Sequence, residues 1–336
     1  MSGIVPGLPD IDDVLANDLL EGLAVVEERL KQAVAIEDPM VKWTARHLLD
    51  AGGKRVRPVL TLTSAALGST NGVTDAAIDA AVLVELTHLA SLYHDDVMDS
   101  APTRRGTRSA HEVWSNSVAI LTGDFLFARA SALSARLGLR SVELHSATFE
   151  RLCLGQLHET VGPSADDDEF DHYLSVLADK TASLIALAGE LGALHGGADE
   201  RTCEIMRRYG ECVGIAFQLA DDVLDLESDA STSGKQPGTD LREGVPTMPT
   251  LLLRRRAAGG EPGAVRIMRM LEGDLSSDKA LQDVVDALRT DAALAEARQM
   301  AQARANDAIA ILHELPAGPI RDALVTFTRS MVERGR

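Results

Sequence analysis

Two acidic segments of nearly identical sequence, each at the end of an apolar helical run, constrain the fold of this chain more than any other feature. They read DDVMD at Asp95–Asp99 and DDVLD at Asp221–Asp225. Residues four apart lie one above the other on a helix, so each segment places two carboxylates on one face. Like charges at this spacing cost roughly 0.2–0.5 kcal/mol, and anions near a helix C-terminus cost about 0.3–1 kcal/mol more. The repeated pattern therefore predicts a compensating cation.

A solvated acidic helix end is the alternative to a cation site, and it is the usual fate of an isolated Asp cluster. Two copies of the same pattern, each after a largely apolar helix, favour the cation. Hard divalent ions prefer oxygen ligands, and Mg²⁺ characteristically takes one or two carboxylates together with substrate phosphates. We therefore expect Mg²⁺ at these segments and a phosphorylated ligand.

Composition and periodicity together predict an all-α fold. Of the 336 residues, 45% are hydrophobic but only 3% are aromatic, a mixture that favours packed helices over a β-sandwich. Apolar residues recur at helical spacing, with no alternating strand pattern and no composition break that would mark a linker. We predict one helical domain over residues 1–336.

The helical pattern also sets boundaries around the acidic segments. It predicts long helices over Asp75–Asp99 and Asp199–Glu227 and a continuous helix over Ala110–Leu137. A further helical stretch is predicted to break near Lys180–Thr181. The segment Ser228–Asp240 is rich in Ser, Gly and Thr and is predicted to form a mobile lid.

Charge and cysteine content limit the classes of partner and compartment. The formal net charge is -18, which excludes general attraction to nucleic acid and requires a local cationic site for any polyanionic substrate. The cysteines Cys153, Cys203 and Cys212 are odd in number and show no C-x-x-C spacing, so we expect reduced core thiols in a cytoplasmic protein.

The sequence gives no sign of a membrane-spanning or targeting segment. Residues Met1–Asp18 lack both a basic start and an uninterrupted apolar stretch. The long apolar runs are each interrupted by charge, at Glu85, Asp124 and Glu190. We therefore predict no transmembrane helix.

Basic residues at loop–helix junctions supply the local cationic site that the net charge requires. No glycine-rich phosphate loop is present, because Gly234–Lys235 lacks the upstream glycine and the following hydroxyl. Arg offers a planar fork that suits phosphate oxygens, and Lys adds a point charge. The candidate cations are Lys54, Arg55, Arg57, Arg104, Arg105, Lys180 and Lys235.

An ordered set of motifs runs through most of the chain. In chain order they are GGKRVRP at Gly52–Pro58, ELTHLASLYHDDVMD at Glu85–Asp99, RRG at Arg104–Gly106, LTGDFLFARA at Leu121–Ala130, KT at Lys180–Thr181, FQLADDVLD at Phe217–Asp225 and GKQPGTDLREG at Gly234–Gly244. A single D-D-x-x-D is weak support for a family, but the ordered set is highly specific. By these motifs the chain resembles the trans (head-to-tail) isoprenyl diphosphate synthases, bacterial long-chain type.

The resemblance implies roles for individual residues. Asp95 and Asp99 should bind two Mg²⁺ ions and Asp221 a third, with Asp96, Asp222 and Asp225 assisting. The predicted contacts to the allylic diphosphate or its metals are Arg104, Lys180, Thr181, Gln218 and Lys235. The predicted isopentenyl diphosphate site is Lys54, Arg57, His88, Arg105 and Phe217, where the alternative for His88 is a satisfied core histidine.

The same resemblance implies an isoprenoid-synthase bundle around a central apolar cavity, and a mechanism. Mg²⁺ and the cationic side chains stabilise the leaving diphosphate, and the double bond of isopentenyl diphosphate attacks the allylic cation. Proton loss, with diphosphate as base, completes each five-carbon extension inside a dry pocket under a lid. One departure concerns the lid: Val245 follows Glu243-Gly244 where many family members carry Lys, so closure should depend more on Lys235.

Product length should depend on the helix upstream of Asp95. The residues five and four positions before it are Ala90 and Ser91, where short-chain family members often place bulky aromatics. Small side chains leave that level open and predict a hexaprenyl to decaprenyl product, whereas a deeper floor would stop growth at geranylgeranyl. Such products commonly serve as quinone (menaquinone-type) side chains, and the resemblance suggests a homodimer with transient membrane contact for product release.

Three rival functions fit the residues less well. A cyclising terpene synthase usually has Ser or Thr and then Glu in its second metal motif, where this chain has Asp225 and Asp229. A His-Asp phosphohydrolase, suggested by His94-Asp95, leaves the second acidic segment unexplained. A regulatory subunit of a heteromeric synthase typically lacks intact Asp motifs, whereas both are intact here.

Overall fold

Helices account for nearly all of the regular structure in the computed structural model, which describes residues 5–9, 11–68, 73–227 and 237–333. Within these residues the only strands form one two-stranded hairpin, so the predicted all-α fold is confirmed. The elements are α1 Asp13–Ala33, α2 Pro39–Asp50, α3 Val56–Ala65, α4 Asp75–Met98, β1 Thr103–Arg104, β2 Thr107–Arg108, α5 Ala110–Val113, α6 Asn116–Leu137, α7 Leu139–Val161, α8 Glu169–Leu177, a π-helix Ala178–Ala182, α9 Ser183–Gly196, α10 Glu200–Glu227, α11 Thr239–Glu243, α12 Met248–Ala258, α13 Pro262–Leu271, α14 Asp278–Arg289, α15 Ala292–Leu312 and α16 Pro319–Val332.

Polar caps at the helix N-termini explain where several of these helices begin. The Asp12 carboxylate accepts hydrogen bonds from two backbone N–H groups of α1, and Thr74 caps α4 in the same way. Each cap satisfies N–H groups that have no partner inside the helix, a contribution of about 1 kcal/mol. Ser115 caps the N-terminus of α6. The region Ala110–Leu137, predicted as one continuous helix, is therefore two helices, α5 and α6.

Contacts divide the chain into two compact units. The first comprises Met1–Glu150, Ser183–Gly210 and Ile311–Phe327, and the second comprises Arg151–Ala182, Glu211–Ala310 and Thr328–Arg336. Four of the boundaries lie inside helices, namely α7, α10, α15 and α16. The prediction of a single domain stays a prediction.

The first unit is built around α4, the helix that ends in the first acidic segment. It contacts α1, α3, α6 and α9, and it is buried on most of its circumference. A helix surrounded in this way needs apolar residues on every side, which explains the nearly continuous apolar run in its sequence. Among the described residues, α4 and α6 are long and apolar enough to cross a membrane, but the apolar window of α4 is 72% buried and that of α6 is 39% buried.

The second unit has its own hydrophobic core, formed by the C-terminal part of α10 and by α11–α15. Leu219, Val223 and Leu226 of α10 are buried there, beside Leu252 of α12 and Val285 of α14. The core side chains of α10 recur at spacings of three and four residues, so one stripe of the helix faces the core. Asp221 and Asp225 interrupt that run and lie outside the stripe.

The remaining sequence predictions have mixed outcomes. The predicted break near Lys180–Thr181 is the π-helix Ala178–Ala182. Cys203 is buried as predicted and Cys212 is partly buried, but the prediction that Cys153 is a core thiol is wrong, because its side chain is exposed. Most of the predicted lid lies outside the described residues, and its last two residues begin the short helix α11.

Candidate active site

The first acidic segment occupies the last turn of α4, as the macrodipole argument assumed. The helix ends at Met98, and Asp99 caps it with its N–H donating to the Asp95 carbonyl oxygen at 2.8 Å. The Asp99 side chain is exposed and that of Asp95 is partly buried. These two residues thus keep the helical four-residue spacing, with their carboxylates on one face of the helix end.

Asp96 is positioned differently from its two neighbours. Its side chain is fully buried, and the Nε atom of Arg104 donates to its Oδ1 atom at 2.6 Å. The Oδ2 atom is buried and has no hydrogen-bond partner in the described part of the chain. Because an unsatisfied buried carboxylate oxygen costs about 1–3 kcal/mol or more, this atom is a place where a cation or donor would be stabilising.

A tight hairpin separates the two consecutive arginines that follow the first acidic segment. Strands β1 and β2 pair in antiparallel register, with Arg104 opposite Thr107. The two turn residues, Arg105 and Gly106, have φ angles of 54° and 75°. Two positive φ angles match the right-handed twist of a two-residue hairpin. The turn leaves Arg104 on a strand beside Asp96 and gives Arg105 a different set of partners.

Arg105 fixes the loop that follows α2. Its Nη1 atom donates to the carbonyl oxygens of Leu48, at 3.1 Å, and of Gly52. A Cβ atom on Gly53 would lie 3.0 Å from the Arg105 guanidinium carbon, so the glycine permits this close approach. At least part of the Arg105 guanidinium therefore binds the loop that carries Lys54. The Lys54 side chain itself is exposed and forms no ion pair among the described residues.

Arg55 and Glu85 form a buried ion pair beneath the same loop. Arg55 has a left-handed φ of 48°, and its Nη1 atom donates to Glu85 Oε1 at 2.9 Å. Glu27 binds the other side of the Arg55 guanidinium, and the Nη2 atom of Arg105 lies 3.9 Å from Glu85. Sequence reasoning gave Glu85 no role in a site; a charge inside the apolar run of α4 was the signal that could have found it.

His88 lies one turn beyond Glu85 on α4 and is surrounded by positive charge. Burial and the nearby charges of Arg57, Arg105, Arg55 and Arg104 hold the pKa of its imidazole well below the usual value. The ring is therefore neutral at physiological pH, as expected where several arginines converge. Arg55 is paired with Glu27 and Glu85, and Arg104 with Asp96, so part of this positive charge is already compensated. Guanidinium groups near a neutral imidazole still offer N–H donors that suit phosphate oxygens.

The second acidic segment lies within the last two turns of α10. Asp221 and Asp225 are partly buried, whereas Asp222 is buried. The Tyr173 hydroxyl and the Met248 N–H, the latter at 2.9 Å, both donate to Asp222 Oδ2. Burial, opposed by these hydrogen bonds, raises the pKa of Asp222 to about 7. Asp222 therefore connects α10 with α8 and α12.

Lys180 and Thr181 lie in the π-helix of the second unit. The Lys180 ammonium donates to the Glu159 carboxylate of α7, and the Thr181 hydroxyl donates to the Gln218 side-chain oxygen at 3.3 Å. A Cβ atom on Gly155 would lie 2.5 Å from the Lys180 backbone nitrogen. The backbones of α7 and the π-helix thus touch at this glycine. The Glu159 contact and the π-helical geometry were not predicted.

The residues of each unit fit a divalent cation that shares its coordination with a ligand. Among the described residues, no group of three or more His, Cys, Asp or Glu side chains forms a ready-made metal site. Mg²⁺ commonly takes only one or two carboxylates and completes its shell with water and phosphate oxygens. In the first unit, paired carboxylates at a helix end, beside the buried Asp96 oxygen without a hydrogen-bond partner among the described residues, satisfy that requirement. In the second unit, the carboxylates of Asp221 and Asp225, four residues apart on α10, supply the pair.

The structure places the predicted site residues of each unit as follows. In the first unit, Asp96 and Arg104 are in direct contact, and the positive charges of Arg57, Arg104 and Arg105 lower the pKa of His88. In the second unit, Thr181 contacts Gln218, and Phe217 is partly buried on α10. Ala90 is fully buried, and the partly buried Ser91 hydroxyl donates to the His88 carbonyl oxygen at 2.9 Å. Lys235 lies outside the described residues.

Comparison with known proteins identifies relatives over the whole length. A polyprenyl synthetase family model matches residues 38–288. A nonaprenyl diphosphate synthase of Mycobacterium tuberculosis is 41% identical over 330 residues, covering 97% of both chains. An octaprenyl diphosphate synthase of Escherichia coli is 31% identical and covers 98% of this chain and 99% of its own.

Solved structures give the same result. A polyprenyl synthase of Caulobacter crescentus, in complex with calcium and isoprenyl diphosphate, has a TM-score of 0.87 at 31% identity and covers 100% of this chain and 99% of its own. A geranylgeranyl pyrophosphate synthase of Corynebacterium glutamicum, in complex with the same ligands, has a TM-score of 0.86 at 38% identity. It covers 97% of this chain and 99% of its own.

Proposed function

This chain belongs to the polyprenyl synthetase family, and from that premise we propose that it is a Mg²⁺-dependent head-to-tail prenyltransferase. It condenses isopentenyl diphosphate with an allylic diphosphate, releases pyrophosphate and extends the product to a long all-trans polyprenyl diphosphate. The observation that carries the proposal is the 2.6 Å hydrogen bond from Arg104 to the buried Asp96, which fixes a cationic side chain beside the first acidic segment at the end of α4.

Each group of residues has a defined task in this reaction. Asp95 and Asp99 on α4, and Asp221 on α10, would hold the three Mg²⁺ ions, which supply electrostatic stabilisation for the departing diphosphate. Lys180 and Thr181 orient the allylic diphosphate, with Arg104, Gln218 and Lys235. Isopentenyl diphosphate is oriented by His88, Arg57, Arg105, Lys54 and Phe217.

The buried residues support these tasks without contacting substrate. Asp96 fixes the direction of Arg104 through the 2.6 Å hydrogen bond. Asp222, held by Tyr173 and by the Met248 N–H, fixes the end of α10 that carries Asp221. Both residues thus place the exposed groups where charge develops, a requirement of electrostatic catalysis.

Long-chain product is supported by the small side chain of Ala90 and by the octaprenyl and nonaprenyl relatives. The alternative, a geranylgeranyl product, is supported by the Corynebacterium structure at 38% identity. Incubation of the purified chain with Mg²⁺, isopentenyl diphosphate and allylic primers of increasing length, followed by mass analysis, separates the two. A product of six to ten units supports the proposal, and an arrest at four units favours the alternative.

The same assay tests the enzymatic assignment itself. Pyrophosphate release should require both prenyl substrates and a divalent metal, and the purified chain should be active alone. Release of phosphate from nucleotides would instead favour a phosphohydrolase, a cyclic hydrocarbon product would favour a terpene cyclase, and activity only with a second protein would favour a regulatory subunit.

We further propose that the enzyme is a single-domain cytoplasmic homodimer. The first unit exposes large apolar side chains on α5 and α6: Val113 at 42%, Ile120 at 41% and Leu121 at 65%. These two helices are in contact, and exposed apolar side chains on neighbouring helices commonly mark an interface. A native mass of about twice 35.8 kDa supports the dimer, and a monomer mass contradicts it. Delivery of the product to a membrane as a menaquinone-type side chain rests on the long-chain assignment.

A further inference from the structure

A recess in the first unit is lined by residues of which none is assigned to the active site. Its volume is about 530 Å³, and α1, α4 and α6 form its walls. Volumes of 300–1,000 Å³ are typical of sites for small organic molecules. Part of the lining is apolar. Ala33 and Ala35, at and just after the end of α1, and Ala132 of α6 reach the surface there, over the buried side chains of Val82, Leu86 and Leu133.

The rim of the recess carries charges that largely cancel. The Nη2 and Nη1 atoms of Arg29 contact Asp75 at 2.5 Å and Asp79 at 2.7 Å. The Nη2 atom of Arg136 lies 2.8 Å from the second carboxylate oxygen of Asp79. Two arginines and two aspartates are therefore paired across α1, α4 and α6, and they contribute no net charge.

Arg129 is the lining cation left over after this pairing. In the described part of the chain it has no ion-pair partner, and its buried Nε atom has no hydrogen-bond partner. The guanidinium carbon lies 5.0 Å from the centre of the Phe125 ring, one turn earlier on α6. This cation–π contact holds the guanidinium in place but uses none of its N–H donors. The lining therefore has one uncompensated positive charge.

We propose that this recess binds an anionic amphiphile, with an oxyanion head group on Arg129 and a short hydrocarbon portion against Ala33, Ala35 and Ala132. A guanidinium can donate two parallel hydrogen bonds to phosphate or carboxylate oxygens. The adjacent apolar wall would gain from removing a hydrocarbon chain from water. A simple inorganic anion would use only the first of these features, and a neutral alcohol only the second.

Binding of three probes to the full chain tests this assignment. Octyl phosphate carries both features, inorganic phosphate carries the head group alone, and octanol carries the tail alone. Calorimetry in EDTA, which suppresses metal-dependent binding of phosphates elsewhere, should show octyl phosphate binding at least tenfold more tightly than either other probe. Arg129→Gln should weaken octyl phosphate binding at least tenfold, or about 1.4 kcal/mol.

Two further variants locate the site. Ala132→Trp places a large side chain at an exposed lining position and should abolish binding even if Arg129→Gln folds poorly. Arg201→Gln makes the same charge change at an exposed position of α10 outside the recess and should leave affinity unchanged. Octanol or inorganic phosphate binding as tightly as octyl phosphate would overturn the proposal. So would octyl phosphate affinity that survives Ala132→Trp, or no binding of octyl phosphate at millimolar concentration.

Discussion

Glu159→Gln should improve the affinity of this enzyme for its allylic substrate. The Lys180 ammonium donates to the Glu159 carboxylate, and the two side chains are 25% and 35% exposed. An allylic diphosphate that binds Lys180 must compete with this carboxylate, whose negative charge also repels the substrate. Removing the charge while keeping the shape of the side chain leaves the ammonium available.

The expected size follows from the exposure of the pair. Partly exposed ion pairs contribute roughly 0.2–1 kcal/mol, so Glu159→Gln should lower KM for the allylic diphosphate by roughly 1.4- to 5-fold. Removing the cation itself should have a larger effect of opposite sign. Loss of a charge-assisted hydrogen bond costs roughly 1.5–3 kcal/mol, so Lys180→Gln should lower kcat/KM for the allylic substrate by roughly 10- to 150-fold.

Steady-state kinetics with each substrate varied in turn measures both effects. The KM for isopentenyl diphosphate should change little in Glu159→Gln, because the residues predicted to bind that substrate include neither member of the pair. Glu204→Gln removes a comparable carboxylate from an exposed pair with Arg207, 2.7 Å away on α10, and should change neither constant. A raised allylic KM in Glu159→Gln, or full activity in Lys180→Gln, would refute the reasoning.

Three other substitutions test the channel, the packing and the pH response. Ala90→Phe should shorten the product seen by reversed-phase chromatography, and an unchanged chain length would exclude Ala90 from the product channel. Gly155→Ala puts a methyl group 2.5 Å from a backbone nitrogen and should cost about 1–3 kcal/mol in denaturant unfolding, whereas Gly263→Ala, with open space around it, should be neutral or stabilising. Burial lowers the pKa of His145 in the folded chain, so below about pH 6.5 the unfolded chain takes up a proton that the folded chain does not. The free energy of unfolding should therefore decrease as the pH is lowered, by up to about 1.4 kcal/mol per pH unit. His145→Gln should reduce that slope, and a slope equal to that of the unmodified chain would contradict the assignment.

Local sequence patterns were sufficient to predict the helices that carry the site. The long apolar run before Asp95 predicts α4 because a helix buried on most sides must be apolar on most sides. The acidic segments were recognisable because adjacent negative charges at a helix C-terminus are energetically unfavourable. An energetically unfavourable pattern that occurs twice in one chain indicates a function. The boundaries at Met98 and Glu227 agree with the predicted ones to within a residue.

Features that depend on distant parts of the chain were not predictable. The π-helix at Lys180 is one example, since its backbone touches α7 at Gly155, more than twenty residues earlier. Arg105 is another, because its contacts with the Leu48 and Gly52 carbonyl oxygens join segments more than fifty residues apart. Sequence spacing shows that a basic side chain is close to an acidic segment along the chain. Only the folded structure shows which oxygen atom that side chain binds.

The buried partners explain why similar residues in adjacent positions have different tasks. Asp95, Asp96 and Asp99 are the same amino acid close together on one helix end, yet Asp96 is fully buried and bound to Arg104, whereas Asp95 is partly buried and Asp99 is exposed. Asp222 repeats this arrangement on α10, where Tyr173 replaces the arginine as donor. In each segment one carboxylate is thus held by the protein while its neighbours stay accessible to solvent. A motif of this kind needs an inner residue to fix the helix end and outer residues to bind cations, so replacing the inner Asp with Asn should disturb geometry, whereas replacing an outer one should weaken metal binding directly.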